Sequence, residues 1–175
     1  MKRTAIAYWL IPAEPERSIL ERMIVDLSRR YNAPVFEPHV TIHVGSNRSA
    51  AAEKVVSRAV RWEPFSLTLL EVGQSGKFTK TLFVRLAPST ELRRLNEIIR
   101  RVAQDSSHYS VEPHLSLLYQ KMPVAVRRKL AASIKQPFST TLFDSIKAVR
   151  CVSPTRTPAD VAKWLVLATA ALSRP

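Results

Sequence analysis

The chain has 175 residues, one cysteine and a formal net charge of +13, with 27 Lys and Arg residues against 14 Asp and Glu residues. This length favours one domain of ordinary size, and a lone cysteine excludes both an intramolecular disulfide and a cluster of thiolate metal ligands. The positive charge favours phosphate-bearing partners through its long-range field, without identifying one.

The N-terminal residues of this sequence do not predict a targeting signal. Lys2 and Arg3 precede a short apolar run that ends at Pro12. This run is too short to cross a membrane, and no small-residue cleavage site follows it. We therefore expect a cytoplasmic monomer without a signal peptide or membrane contact, and the single cysteine agrees with a reducing compartment.

Apolar periodicity predicts alternating strands and helices along the whole chain. In the first half the predicted elements are a strand at 4–11, a helix at 15–31, a strand at 39–44, a helix at 49–62 and a strand at 65–72. In the second half they are a strand at 79–86, a helix at 89–104, a strand at 114–119, a helix at 124–134 and a strand at 138–149. A last strand, about 163–172, has no counterpart in the first half.

Three landmarks recur in the same order along the two halves. The residues Glu-Pro-His-Val-Thr-Ile at 37–42 return as Glu-Pro-His-Leu-Ser-Leu at 112–117, an offset of 75. Pro-Phe-Ser at 64–66 returns at 137–139, and the apolar run ending at Pro12 returns as the run ending at Pro88. Because this period is longer than that of a solenoid repeat, we predict a single domain (1–175) of two lobes related by a pseudo-two-fold axis. The repeat units are about 4–74 and 79–150.

The repeated motif places a histidine and a hydroxyl on the same side of each predicted strand. Side chains two residues apart share a strand face, so His39 goes with Thr41, and His114 goes with Ser116. The residues between them point into a core. If the pseudo-two-fold axis brings the strands together, two imidazoles flank one cleft and two hydroxyls lie on its floor.

Such a cleft suits hydrolysis of a phosphodiester without a metal. A neutral imidazole can take a proton from water while a protonated imidazole gives one to the leaving oxygen, and the pKa of histidine near 6.5 allows both forms. The hydroxyls can donate to non-bridging phosphate oxygens. The segment 73–76 lacks the lysine and hydroxyl of a P-loop, which argues against use of a nucleoside triphosphate.

The two other histidines receive different interpretations. His43 follows His39 at a spacing that would suit two zinc ligands on a helix, but on a strand four residues span about 13 Å, too far for one ion. We therefore predict no metal site, with His43 either at the cleft edge on the face of His39 or solvated. His108 is predicted to lie in a loop.

Basic residues give a weaker signal. Pairs and triplets of them lie on predicted helices, at 29–30, 93–94, 100–101 and 127–129. They form either solvated faces or a surface that attracts RNA. Lys77 and Lys80, beside the turn between the repeats, are better placed to meet a phosphate.

The paired motifs His39-Val40-Thr41-Ile42 and His114-Leu115-Ser116-Leu117 resemble the signature of the two-histidine (2H) phosphoesterases. The chain is most similar to their cyclic phosphodiesterase branch, to which the segments 8–12, 36–41 and 113–119 are also similar. This resemblance implies an α+β fold with two lobes, each an antiparallel sheet flanked by helices, around a central cleft.

The resemblance also implies an activity and roles for site residues. It implies a cyclic phosphodiesterase that opens a 2′,3′-cyclic nucleotide or an ADP-ribose 1″,2″-cyclic phosphate without a metal or cofactor. His114 would activate water and His39 would protonate the leaving oxygen, although a symmetric site permits the reverse. Tyr119 would contact the substrate, although alternation turns it away from His114 unless the strand bends or ends there. Trp9 and Phe78 are candidate walls for a base, or core residues.

Two alternatives stay open at this point. The first is an RNA 2′–5′ ligase or RNA-end phosphodiesterase of the same superfamily, acting on a polymer. The second is a non-catalytic RNA-binding module that uses the cleft only to hold phosphate. The two intact histidine motifs argue against the second alternative, because binding alone does not need them.

Overall fold

The computed structural model describes residues 2–59, 61–105 and 109–173. These residues form seven strands, five α-helices and one 3₁₀ turn. The strands are β1 (Arg3–Pro12), β2 (Val40–Ser46), β3 (Phe65–Gln74), β4 (Leu82–Leu86), β5 (His114–Leu118), β6 (Thr140–Ser153) and β7 (Leu165–Ala171). The helices are α1 (Glu16–Tyr31), α2 (Ser49–Ala59), α3 (Thr90–Val102), α4 (Val124–Ser133) and α5 (Pro158–Val161), and the 3₁₀ turn is Phe78–Lys80.

Each half of the chain has the order strand, helix, strand, helix, strand. The first half runs β1-α1-β2-α2-β3 and the second runs β4-α3-β5-α4-β6. β4 begins three residues later than predicted, because the 3₁₀ turn occupies the start of the segment assigned to it. β7 lies outside this order and pairs with β6.

The strands within the described ranges form one antiparallel sheet, which confirms the α+β class. Their order is β1-β2-β5-β4-β3-β6-β7, with a further pairing between β1 and β6. The prediction of two separate sheets is wrong, because β6 is 14 residues long and reaches strands of both halves. Its residues 140–143 pair with β3, and its residues 143–153 pair with β1.

β1 is buried on both faces of the sheet, which explains its almost continuous apolar sequence. Ile6, Tyr8 and Leu10 point into the main core. Ala7 and Trp9 belong to a second, smaller cluster on the opposite face. This second face is the one that carries the candidate site.

The end of α1 directs the chain toward that face. Asn32 caps the helix with a φ of 48°, a left-handed conformation that asparagine adopts more readily than most residues. The side-chain amide of Gln120 donates to the carbonyls of Tyr31 and Asn32, at 3.0 and 3.2 Å, and ties this turn to the segment after β5. Of the helices in the described residues, none has the length and apolar character needed to cross a membrane.

Candidate active site

Both repeated motifs contribute to a single cleft of about 240 Å³, lined by His39, Thr41, His114 and Ser116 among others. Their strands are joined through one residue pair, Val40 with Leu115, which occupy equivalent positions of the repeat. Continuing this antiparallel register places His39 opposite Ser116 and Thr41 opposite His114. The histidine of each motif is therefore in register with the hydroxyl residue of the other motif.

His39 lies immediately before β2 and is only 6% exposed. Its Nδ1 is 2.6 Å from the carbonyl oxygen of Glu37. Because a carbonyl only accepts, Nδ1 carries the hydrogen, and Nε2 is left without one in the neutral ring. Trp9 stacks on the imidazole with a centroid separation of 3.8 Å and an interplanar angle of 13°, which fixes the plane of the ring.

His114 repeats this arrangement on β5. Its Nδ1 is 2.6 Å from the carbonyl oxygen of Glu112, so the same nitrogen is engaged as in His39. Phe83 packs edge-on against the imidazole at 5.6 Å and 74°. Phe83 follows Trp9 by 74 positions, and aligning the two repeats over their first strands would have identified it from the sequence.

The two glutamates that hold the imidazoles are themselves held by cations. Lys147 donates to both carboxylate oxygens of Glu37, at 2.6 and 2.7 Å, and Arg17 donates to one of them at 2.9 Å. Lys80 donates to the carboxylate of Glu112 at 3.0 Å. Each backbone carbonyl that orients a histidine thus belongs to a residue anchored by a lysine.

Burial disfavours the protonated form of both imidazoles when no substrate is bound. It lowers the pKa of His39 to about 4, against the opposing hydrogen bond to Glu37, and the positive charges of His114 and Lys147 lower it further. Burial also lowers the pKa of His114, with the charge of Lys80 acting in the same direction. Both rings are therefore mainly neutral at pH 7.

The depressed pKa of His39 predicts a loss of stability in acid. The folded pKa is about 4 and the ordinary value is 6.5, so the unfolded chain binds this proton more tightly between those pH values. The free energy of unfolding then falls as the pH is lowered, by about 2–3 kcal/mol between about pH 7.5 and 4.5 from this group alone. Urea unfolding of the wild type and of His39→Gln at both pH values measures it. An equal loss in the two proteins would contradict the assignment.

The two hydroxyls differ, although the repeated motif predicts one role for both. Within the part of the chain that the structure describes, the Thr41 hydroxyl has no hydrogen-bond partner, so it is available to donate. Ser116 already donates to the carbonyl of Thr79 at 2.8 Å. Thr79 lines the cleft as well, and no sequence pattern indicates this.

Tyr119 reaches the cleft because β5 ends at Leu118, one residue before it. Strand alternation, which would turn it away, no longer applies at that position. Its ring stacks on Phe36 at 3.7 Å and 8°. Burial raises the pKa of the Tyr119 phenol, so it stays protonated.

The other two predicted aromatic residues, Trp9 and Phe78, occupy different environments. Trp9 lines the cleft, but one face of its indole is covered by His39. Phe78 is not among the residues lining the cleft. It lies in a core cluster at 6% exposure, with its ring 6.0 Å from that of Tyr119, so the interpretation of Phe78 as a wall of the cleft is corrected.

Several residues lining the cleft lie outside the repeated motifs. Trp164, just before β7, places its ring edge-on to Trp9 at 5.1 Å, to Tyr119 at 5.9 Å and to His39 at 6.2 Å. Tyr109 and the end of β6 also line the cleft. Trp164 belongs to the C-terminal strand region that has no repeat counterpart, so the repeat could not indicate it.

The prediction for His43 is wrong: it is neither solvated nor on the face of His39. A register shift pairs Tyr8 with His43 but Trp9 with Thr41, so a bulge reverses the alternation and His43 points into the core. It is 0% exposed, and its Nε2 lies 2.7 Å from a carboxylate oxygen of Asp105. His108 lies outside the described residues.

The remaining acidic, histidine and cysteine side chains give no indication of a metal centre. Over the residues described, no three or more of them are grouped so as to hold a metal ion. His39 and His43, the pair with zinc-like spacing, lie on opposite faces of the sheet.

An antiparallel α+β fold with paired His-x-Thr and His-x-Ser motifs defines a two-histidine phosphoesterase. A family model described as "Cyclic phosphodiesterase-like protein" matches residues 4–172. The chain therefore belongs to this family and is an enzyme of the cyclic phosphodiesterase class. A cyclic phosphodiesterase of Arabidopsis thaliana is 25% identical over 124 residues, which are 70% of this chain and 68% of the relative.

Solved structures share the fold at lower identity. LigT of Escherichia coli, crystallised with 3′-AMP, has a TM-score of 0.59 and 18% identity, with 98% of this chain and 99% of that chain covered. A protein of Thermus thermophilus has a TM-score of 0.61 and 17% identity, with 97% and 98% covered.

Proposed function

We propose that this enzyme hydrolyses a ribose cyclic phosphate by general acid–base catalysis, with His39 and His114 as the acid–base pair. The observation that carries the proposal is the matched orientation of the two imidazoles. Each has its Nδ1 engaged by a backbone carbonyl at 2.6 Å, which leaves each Nε2 for proton transfer. Crystals of LigT with 3′-AMP and with ATP support a nucleotide as the substrate.

The reaction needs one proton on the pair. The neutral imidazole takes a proton from water as the water oxygen bonds to phosphorus. The other imidazole, protonated, gives its proton to the ribose oxygen as that P–O bond breaks, which leaves a phosphomonoester and a free hydroxyl. The negative phosphate raises the pKa of a neighbouring imidazole, so substrate binding favours the protonated form that the free site disfavours.

The resemblance assigns the base role to His114 and the acid role to His39. In this order the bound phosphate has to raise the pKa of His39, which is enclosed by Trp9 and Phe36, so that this ring carries the proton. His114 is less enclosed and sits closer to solvent water. Thr41, opposite His114, would donate to a non-bridging oxygen and help to bear the developing charge, and Tyr119 would contact the substrate.

The test is a product assay in the presence of a chelator. The purified protein is incubated with 2′,3′-cyclic mononucleotides, ADP-ribose 1″,2″-cyclic phosphate and RNA ends, and the products are separated chromatographically. We expect a phosphomonoester from at least one cyclic phosphate, formed at least about 10²-fold more slowly by the matched His39→Gln/His114→Gln double variant. Release of product by the double variant at the wild-type rate would overturn the mechanism.

The charge of +13 favours a second candidate, an RNA 2′–5′ ligase or RNA-end phosphodiesterase of the same superfamily. Such an enzyme would bind RNA with a steep salt dependence and have little affinity for mononucleotides. Tight RNA binding without turnover of any cyclic phosphate would instead indicate a non-catalytic binding module.

A further inference from the structure

A second groove, of about 460 Å³, begins at His114 on the side away from His39. We call it the His114 groove, and the side chains that matter for its chemistry are Leu70, Lys80, Phe83, Arg85, Pro88 and His114. His114 lines both this groove and the cleft. The two cavities therefore meet at a residue of the proposed acid–base pair.

The sheet register explains why the groove continues from the cleft. β4 pairs with β5 so that Phe83 lies opposite Ser116 and Arg85 lies opposite His114. The face that carries the second motif on β5 thus extends across β4 to Phe83 and Arg85. In the first half, Trp164 packs edge-on against Trp9, the counterpart of Phe83, at 5.1 Å.

Size argues that the substrate extends beyond the cleft. Small-molecule sites in proteins commonly enclose about 300–1,000 Å³. The cleft alone, at about 240 Å³, lies below this range, whereas the groove of about 460 Å³ lies within it. A mononucleotide would use the cleft and leave the larger cavity empty.

The groove offers two cations, Arg85 and Lys80, that can contact a phosphate. Arg85 pairs with Glu71 at 2.7 Å, and both side chains are more than half exposed. Lys80 pairs with Glu112, whose side chain is 73% exposed. The exposed pair of Arg85 with Glu71 contributes little to stability, so a phosphate can take the place of the Glu71 carboxylate. Lys80 has three N–H donors and can contact the same phosphate while it stays paired with Glu112.

Part of the groove lining is apolar. Leu70, which is 40% exposed, and Pro88 both line it. An apolar surface next to two cations is complementary to a base next to a phosphate. Phe83 is only 4% exposed and supports the floor of the groove.

We propose that the His114 groove binds a second nucleotide unit, joined through phosphate to the one that carries the cyclic phosphate. Arg85 and Lys80 contact the linking phosphate, and the second base lies against Leu70 and Pro88. This inference rests on the proposed function, and it names the substrate class as a molecule of at least two nucleotide units.

The test compares kcat/KM for a dinucleotide ending in a 2′,3′-cyclic phosphate with kcat/KM for the matching cyclic mononucleotide. In the wild type we expect the dinucleotide value to be about tenfold higher, the scale of one charge-assisted hydrogen bond. In Arg85→Ala the ratio should fall toward one. In the matched control Arg22→Ala, which removes an exposed arginine from α1, the ratio should stay at the wild-type value.

One further variant and one further substrate extend this test. Leu70→Asp places a negative charge on the apolar part of the lining and should lower the same ratio, which keeps the test available if Arg85→Ala does not fold. ADP-ribose 1″,2″-cyclic phosphate, in which a diphosphate links the two units, distinguishes that linkage from an RNA end. A wild-type ratio of one, or equal ratios in Arg85→Ala and Arg22→Ala, would overturn the proposal.

Failure of the proposed function would give a different result from failure of the proposal about the groove. In that case no cyclic phosphate would be turned over by the wild type at all, and the groove would be tested by calorimetric binding of the dinucleotide 3′-phosphate. Tighter binding by the wild type than by Arg85→Ala supports the groove, and equal affinities reject it.

Discussion

Replacing His39 or His114 by glutamine is expected to lower kcat/KM for a 2′,3′-cyclic nucleotide by about 10²–10⁴-fold. Glutamine removes the nitrogen that transfers the proton but keeps a polar side chain of similar length. Both histidines transfer protons in the same reaction step, so their contributions to the rate are not additive. The double variant should therefore lose little more kcat/KM than the worse single variant. Initial rates for the three variants, with thermal midpoints to verify folding, measure this.

The pH profile provides the control for this prediction. The reaction needs one protonated and one neutral imidazole, and the pKa values of both rings lie below 6.5, with that of His39 at about 4. For the wild type, kcat/KM should therefore rise up to about pH 4, reach its maximum below pH 6.5 and fall about tenfold per pH unit on the alkaline side. In each single variant the limb that belongs to the missing histidine should disappear. Full activity in both single variants would reject the two-histidine mechanism.

Asp105→Ala should lower the free energy of unfolding by about 3 kcal/mol, the largest stability effect that we expect. The reason is that Nε2 of His43, 2.7 Å from the Asp105 carboxylate and fully buried, would lose this partner. The site is also tightly packed, since a Cβ atom on Gly45 would collide with the same carboxylate. Urea unfolding at neutral pH measures the loss.

Two further variants make the Asp105 result interpretable. Asp26→Ala removes an exposed carboxylate from α1 and should change the free energy of unfolding by less than about 0.5 kcal/mol. His43→Leu combined with Asp105→Ala should recover part of the loss, because no polar group is then left buried without its partner. A loss of the same size in Asp26→Ala would show that general charge, and not the buried contact, is responsible.

The sequence predicted the strands, the helices α1 to α4 and the shared face of His39, Thr41, His114 and Ser116, because all of these follow from local periodicity. It did not predict the short helix α5. It failed for His43, since a bulge opposite Tyr8 and Trp9 reverses the alternation without any local signal in β2. Local sequence patterns also do not predict which strands pair with each other. The sequence therefore could not reveal that β6 joins both halves in one sheet.

Contacts between distant segments explain the other differences. Phe78 has the composition of a base-stacking residue, but its burial beneath Tyr119 depends on how the 3₁₀ turn packs against β5. Trp164 enters the cleft from a segment with no counterpart in the repeat. Tyr119 was ambiguous because neither the end of β5 nor the register shift between Ser116 and Leu118 could be predicted from local patterns.

The pairing of Val40 with Leu115 makes the site sensitive to strand alignment in a particular way. Neither half contains a histidine and the hydroxyl opposite it, since His39 is in register with Ser116 and His114 with Thr41. A slip of β2 against β5 by two residues would leave every side chain on its own face while moving these partners about 6–7 Å apart. Such a slipped protein would retain its secondary structure and its core pattern but lose activity, so turnover reports the alignment of these two strands more sensitively than circular dichroism can.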